Sequence, residues 1–366
     1  MVIPDRYSDI ISNTILDKCL IEDPKSRVAV EVLAKNDDVI VGGEITTTAH
    51  IDVEKIVKDV TKEIGYDWEP KVTNLLSKQS PDIALGTNDE TNGAGDQGIM
   101  FGYATSEGPN YMPLAWSISK DIIKTFEELR VSNNEDYNWI KPDMKSQVTI
   151  DYSSAIPAVK DVVISIQTKE GTNLEEVRPL VRKNVFQVLK VQYKDYIDVD
   201  EDVNIYFNET GKFEIGGPFG DCGVTGRKIV VDQYGGYAPV GGGNLNGKDP
   251  TKVDRSAAYM MRYIAKNIVA SGIMSECTIQ CSYCIGVSQP VSLNISTPDS
   301  LSDEFIDNLE RRIMKIYDLS PRGIINFLEL RKPLYVNNSK YGAFGNPEAK
   351  WEQIDDAFSY KLDNIL

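Results

Sequence analysis

The chain has 366 residues, 41% hydrophobic and 26% charged, with a formal net charge of −16. That length accommodates two or three domains with sizeable cores, and the acidic balance excludes nonspecific binding to nucleic acid or to an anionic membrane, which needs a positive footprint. No apolar run nears the ~20 residues of a membrane span, and the start, MVIPDRYSDIISN, has no signal-peptide pattern, so a cytoplasmic location is expected.

Residues 4–19 read as a helix with Ile10, Ile11, Ile15 and Leu16 as its apolar positions. Residues 27–48 alternate apolar and polar around Asn36-Asp37-Asp38, the pattern of a hairpin. His50, the one histidine, follows at a strand-to-helix junction and reads as structural; mechanisms built on Ser-His-Asp, Cys-His or several histidine ligands are nearly excluded unless it serves them. Residues 51–66 carry Val53, Ile56, Val57, Val60 and Ile64 on one face, an amphipathic helix covering a sheet. Residues 86–92 are polar and turn-rich, as expected of a mobile loop.

GAGDQG at 93–98 satisfies GxGxxG, but a polar loop precedes it and the strand-like IMFGYA follows, the reverse of the order a dinucleotide fingerprint needs. Residues 113–130 and 174–193 read as helices, and 147–152 and 161–168 as strands.

Eleven glycines fall within residues 213–259, interleaved with Arg227, Lys228, Lys248, Lys252 and Arg255 and with Asp221, Asp249 and Asp254. So many glycines imply close backbone approach. Cations beside a few carboxylates suit a polyphosphate with its metal ions, a local cationic island on an acidic surface. Residues 242–248 nearly match a Walker A loop, but Asp249 stands where Ser or Thr should hold magnesium and no buried strand precedes. Asp249-Pro250 reads as a helix start, Asp as N-cap and Pro at the first helical position. Cys277, Cys281 and Cys284 have a spacing that would fit a four-iron cluster, yet QCSYCIGV reads better as a buried strand. Residues 302–318 form a further helix; no linker or repeat interrupts the chain.

GGPFGDCGVTGRKIVVDQYGG and GKDPTKVDRSAAY resemble the signatures of the methionine adenosyltransferase family, also called S-adenosylmethionine synthetase. GGGNLNGKD between them is similar to the family's GGGAFSGKD, and GAGDQGIMFGYA to its other long signature. The resemblance implies an α+β fold of three similar domains around a pseudo-threefold axis: an N-terminal domain (1–84), a central domain (93–214), a C-terminal domain (215–350) and a tail (351–366). It implies transfer of the adenosyl group of ATP to the sulfur of L-methionine, then cleavage of triphosphate to pyrophosphate and phosphate, in a homodimer or dimer of dimers whose sites lie at the dimer interface.

Carried over residue by residue, the resemblance makes Lys145, Arg227, Lys228, Lys248 and Lys252 the catalytic cations. ATP would meet Asp143 at the ribose, Lys212 and Phe213 at adenine, and Lys145, Asp221, Arg227, Lys228, Asn244 and Lys248 elsewhere. Methionine would meet Glu44, Gln79, Asp96, Asp221 and Lys252. Mg2+ would sit on Asp5 and Asp254 and K+ on Glu31, although Glu31 and Glu44 alone would pass as ordinary strand carboxylates. This chemistry suits a chain with one histidine: a thioether has no proton to lose, so no general base is needed, and the tasks are electrostatic and positional.

The sequence also departs from the family. Ile3 stands at the usual histidine of HPDK, Arg6 at its lysine, and Ala343 replaces the histidine of AYGHFG. One expectation is a working synthetase, weakened by the loss of the histidine at Ile3 or compensated by another donor such as Arg6; the alternative is a noncatalytic or impaired homologue acting as a nucleotide-binding regulatory subunit.

Overall fold

A computed structural model describes residues 3–78, 93–199 and 202–363. The 27–48 pattern folds as expected into β1 (Arg27–Lys35) and β2 (Asp38–Thr46), antiparallel, with Asn36 at positive φ in the turn. Val28, Val30, Val32 and Ala34 face inward with Val39 and Val41. Beneath them lies α1 (Pro4–Glu22), and α2 (Val53–Ile64) follows the hairpin. Asp52 caps α2 by accepting from the Lys55 amide at 3.0 Å, and Gly65 ends it in the left-handed conformation. No local pattern announces β3 (Lys71–Ser77), which pairs parallel with β2 and completes the order β3-β2-β1-β8, with β8 being Gly223–Val224.

Two further three-stranded sheets follow the same plan. β5 (Ile140–Asp151), β6 (Ala158–Thr168) and β7 (Asn204–Phe207) are backed by α3 (Leu114–Val131) and α4 (Leu174–Gln187) around a core of their own. β4 (Gly98–Thr105), β9 (Glu276–Tyr283) and β10 (Ser292–Ser296) lie against α5 (Val253–Ala270), with α6 (Asp303–Ile316) beside them, sharing one core with the first sheet. The result is a mixed α and β protein of three sheets, each covered by long helices. Among the described residues no helix is long and apolar enough to cross a membrane.

Two local expectations need correction. Residues 174–193 are not one α-helix, because the last turn, Val188–Gln192, is a π-helix. Asp249 does not cap a helix: α5 begins at Val253 after Lys252, and the Asp249 carboxylate turns inward, fully buried. There it accepts from the Val28 amide at 2.7 Å and from the Thr251 amide and hydroxyl at 2.9 and 2.6 Å. β1 pairs with β8 only at Leu33 and Ala34, so its first half needs other acceptors; Gly247 supplies one to the Val30 amide at 2.9 Å and Asp249 another.

Candidate active site

The cations singled out from the sequence fall into two sets. The first gathers on Asp5 in the first turn of α1, whose carboxylate is 3% exposed. One oxygen accepts from the Val224 amide at 2.9 Å and pairs with Arg227 at 2.9 Å; the other holds the Lys228 ammonium. The helix start must approach the 222–228 turn closely for this, and a Cβ on Gly223 would overlap the Pro4 carbonyl. Lys145, in mid-β5, and Lys228 line one cavity of about 240 Å³ with Ile3. Asp143, two residues earlier, is buried and accepts from the Gly217 amide at 2.8 Å. Burial pushes its carboxyl up to about 6, against the pull of that amide and of Lys145.

The second set lies along the loop beside β1. Lys248 pairs with Asp254 at 2.6 Å. Gly243 leaves room for the Asp254 carboxylate, which a Cβ there would strike. Glu31 faces Lys248 and Asn244; partial desolvation raises its carboxyl, and those two neighbours oppose the rise. Lys252 is held by Asp249 at 2.5 Å. Among the described residues no ion pair joins one set to the other.

The remaining candidates are more scattered. Glu44 lies exposed at the end of β2, on the face that carries Glu31 and Leu33 on β1. Asp96 and Asp221 are exposed and each accepts from the following amide at 2.8 Å. Lys212 pairs with Glu214 at 2.7 Å, and the Phe213 carbonyl accepts from the Thr168 amide. Gln79 and the 86–92 loop lie outside the described residues.

Arg6 is not available as a compensating donor. Its guanidinium is fully buried, 3.2 Å from Asp9 and 2.5 Å from Asp232. Asp232 accepts from Asn246 at 2.9 Å, Asn246 accepts from Asn13 at 2.8 Å, and Asn13 accepts from Arg255 at 2.7 Å. Arg255 in turn donates to the Lys248 carbonyl at 2.9 Å. This buried chain of polar groups runs from Arg6, next in sequence to Asp5, to the Lys248 carbonyl; Asp232, Asn246 and Arg255 lie within the signature strings, but only the fold joins them through Asn13.

His50 is exposed, consistent with a bystander. Cys277 and Cys281 alternate inward on β9 while Cys284 is exposed beyond it, so the three do not converge. Among the described residues no group of three His, Cys, Asp or Glu could hold a metal by itself. Asp5 and Asp254 are hard oxygen donors set among cations, which suits Mg2+ held by one or two carboxylates with phosphate oxygens completing its shell.

Three family models cover almost the whole chain: the S-adenosylmethionine synthetase N-terminal domain at residues 3–83, the central domain at 91–213 and the C-terminal domain at 215–353. The S-adenosylmethionine synthase of Mesoplasma florum is 44% identical, over 98% of this chain and 96% of its own. That of Brachyspira hyodysenteriae is 42% identical over 96% and 93%. The solved structure of an unusual S-adenosylmethionine synthetase from Campylobacter jejuni superposes with a TM-score of 0.87 at 34% identity, covering 98% of this chain and 96% of that one.

Proposed function

Because the chain belongs to the S-adenosylmethionine synthetase family, we propose that its two cation sets are complementary halves of the active site. The reaction is transfer of the adenosyl group of ATP to the sulfur of L-methionine, with triphosphate cleaved to pyrophosphate and phosphate. The observation that carries the assignment is the convergence of Lys145 and Lys228, with Asp5 behind Lys228, on one cavity.

Sulfur attacks the ribose C5′ as the triphosphate leaves, so charge grows on phosphate oxygens and on sulfur. Lys145, Arg227 and Lys228 neutralise the first from one set, and Lys248 and Lys252 from the other. Asp143, with Lys212 and Phe213 on the nucleoside side, orients ribose and adenine. Asp221 and Asn244 border the nucleotide. Glu44, Gln79 and Asp96 hold the methionine zwitterion and balance the sulfonium. Asp5 and Asp254 would hold Mg2+, which supplies charge neutralisation on the triphosphate, and Glu31 would hold K+.

The two sets belong to opposite chains of a homodimer in this reading. An open face of the first sheet supports it: Leu33, Ile40 and Leu75 are exposed beside Glu31 and Glu44, an apolar patch bordering site residues.

The test is to incubate the protein with ATP, methionine, Mg2+ and K+ and follow S-adenosylmethionine by mass spectrometry and phosphate by colorimetry. Methionine-dependent product that disappears in Lys248→Ala is expected. A wild-type chain that binds ATP and forms no product would refute the reading.

A further inference from the structure

The cavity lined by Ile3, Lys145 and Lys228 has a third ammonium on its wall. Lys120, one helical step beyond Trp116 on α3, lines it too, although nothing in the sequence set Lys120 apart from an ordinary surface lysine. Its side chain is only 21% exposed. Its nearest carboxylate oxygen, on Asp121, is 3.8 Å away, and the other oxygen of Asp121 is taken by the Tyr193 hydroxyl at 2.6 Å. The Trp116 ring, 5.0 Å off, flanks the ammonium on another side. Lys124 adds a further positive charge nearby, and burial pulls the Lys120 pKa below the usual lysine value. A largely buried cation whose nearest carboxylate is 3.8 Å away and shared with the Tyr193 hydroxyl, facing a cavity with two other lysines, is matched best by an anion in that cavity.

We propose that Lys120 is a further polyphosphate-binding residue, placed to hold a phosphate oxygen of the leaving chain on the side of the cavity where Ile3 offers no donor. This rests on the active-site assignment above and adds a residue to it. Inorganic tripolyphosphate is the probe, because it isolates the phosphate contact from nucleoside and methionine. Its affinity would be measured by calorimetry for the unaltered protein, K120M, K120R and K124M, with KM for ATP and kcat alongside.

The expected result is that K120M binds tripolyphosphate about tenfold more weakly or worse, that K120R stays within about threefold, and that K124M, one turn further along the same helix and exposed to solvent, stays within about twofold. K120M should also raise KM for ATP or lower kcat. Affinity in a folded K120M within about twofold of the unaltered protein overturns the proposal, as does an unaltered protein that fails to bind tripolyphosphate. Should K120M not fold, amine labelling of the unaltered protein decides: tripolyphosphate must protect Lys120 from modification, and equal labelling with and without it overturns the proposal. Failure of the adenosyl-transfer reading shows separately, as absent S-adenosylmethionine from an unaltered protein that still binds tripolyphosphate through Lys120.

Discussion

Replacing Glu352 by Gln should be among the most destabilising single changes available. Glu352 is buried beneath the C-terminal segment, and its two oxygens accept four bonds. Arg262 Nε and the Gly345 amide reach one oxygen at 3.0 and 2.8 Å; Arg262 and Lys266 reach the other at 2.9 and 2.8 Å. Arg262 also donates to the carbonyls of Tyr103, Asn110 and Tyr111, tying α5 to the end of β4. The glutamine amide would place an N–H₂ against donors and leave Arg262 and Lys266, 0 and 3% exposed, without a counter-charge. Removing one partner of a buried ion pair costs about 3–5 kcal/mol. Taking about 4 kcal/mol and an unfolding entropy of about 2.1 cal/mol/K per residue, the melting temperature should fall about 5 °C if the chain unfolds as one unit, and further if only the β10-β9-β4 unit melts.

Burial alone would raise the Glu352 pKa, but Arg262 and Lys266 more than offset it and hold it below the ordinary carboxylate value. The stability of the charged group is therefore present above an unfolded value near 4.5 and lost as pH falls through the lower folded value. Urea unfolding at neutral pH, followed by the fluorescence of neighbouring Trp351, measures the loss. The triple variant R262M/K266M/E352L should not recover the loss, because it also takes from the Tyr103, Asn110 and Tyr111 carbonyls and from the Gly345 amide their partner in the network. An E352Q variant within about 1 kcal/mol of the unaltered protein would show that the network is not a closed ion-pair system.

Asp143 carries the opposite sign. Its folded pKa is raised to about 6 from 3.8, so its contribution is fully present below 3.8 and lost as pH rises through 6. Relative to D143N, the unaltered protein should lose roughly 1.5 kcal/mol of stability between about pH 5 and pH 7.5, read from denaturation curves at both pH values; a flat difference contradicts the burial argument. Gly223→Ala should cost about 1–3 kcal/mol by overpacking, because its methyl group would meet backbone of α1 and no flexible side chain. Adenosyl transfer should fall further than the lost stability explains, since Asp5 would be pushed from Arg227 and Lys228; activity retained in a variant with an unchanged melting temperature would contradict that geometry.

The parts of the fold legible in the sequence are those with a local period. The β1–β2 hairpin alternates, α2 and α6 carry amphipathic stripes, and Asp52 and Ser302 cap them through nearby amides. KVTNLLS, by contrast, has neither period, and its strand identity comes from a parallel partner. β4 pairs with β9 over a separation in sequence that no local signal spans. Asp249 looked like a helix cap because Asp-Pro so often is one, but a distant strand with unpaired amides claimed its carboxylate. The signature strings supplied many of the candidate site residues, while their division into two sets and the burial of Arg6 appear only once α1 packs under β1. Lys120 could not have been found this way, since what distinguishes it is the cavity it faces.

The buried polar chain from Arg6 through Asp232, Asn246, Asn13 and Arg255 to the Lys248 carbonyl has a kinetic meaning if two chains share two sites. Each chain would then lend one cation set to each site, with this run of one ion pair and several hydrogen bonds between them. Such a run of contacts would be a physical route for ligand in one site to bias the other, and the pair of chains would then be the unit that turns over.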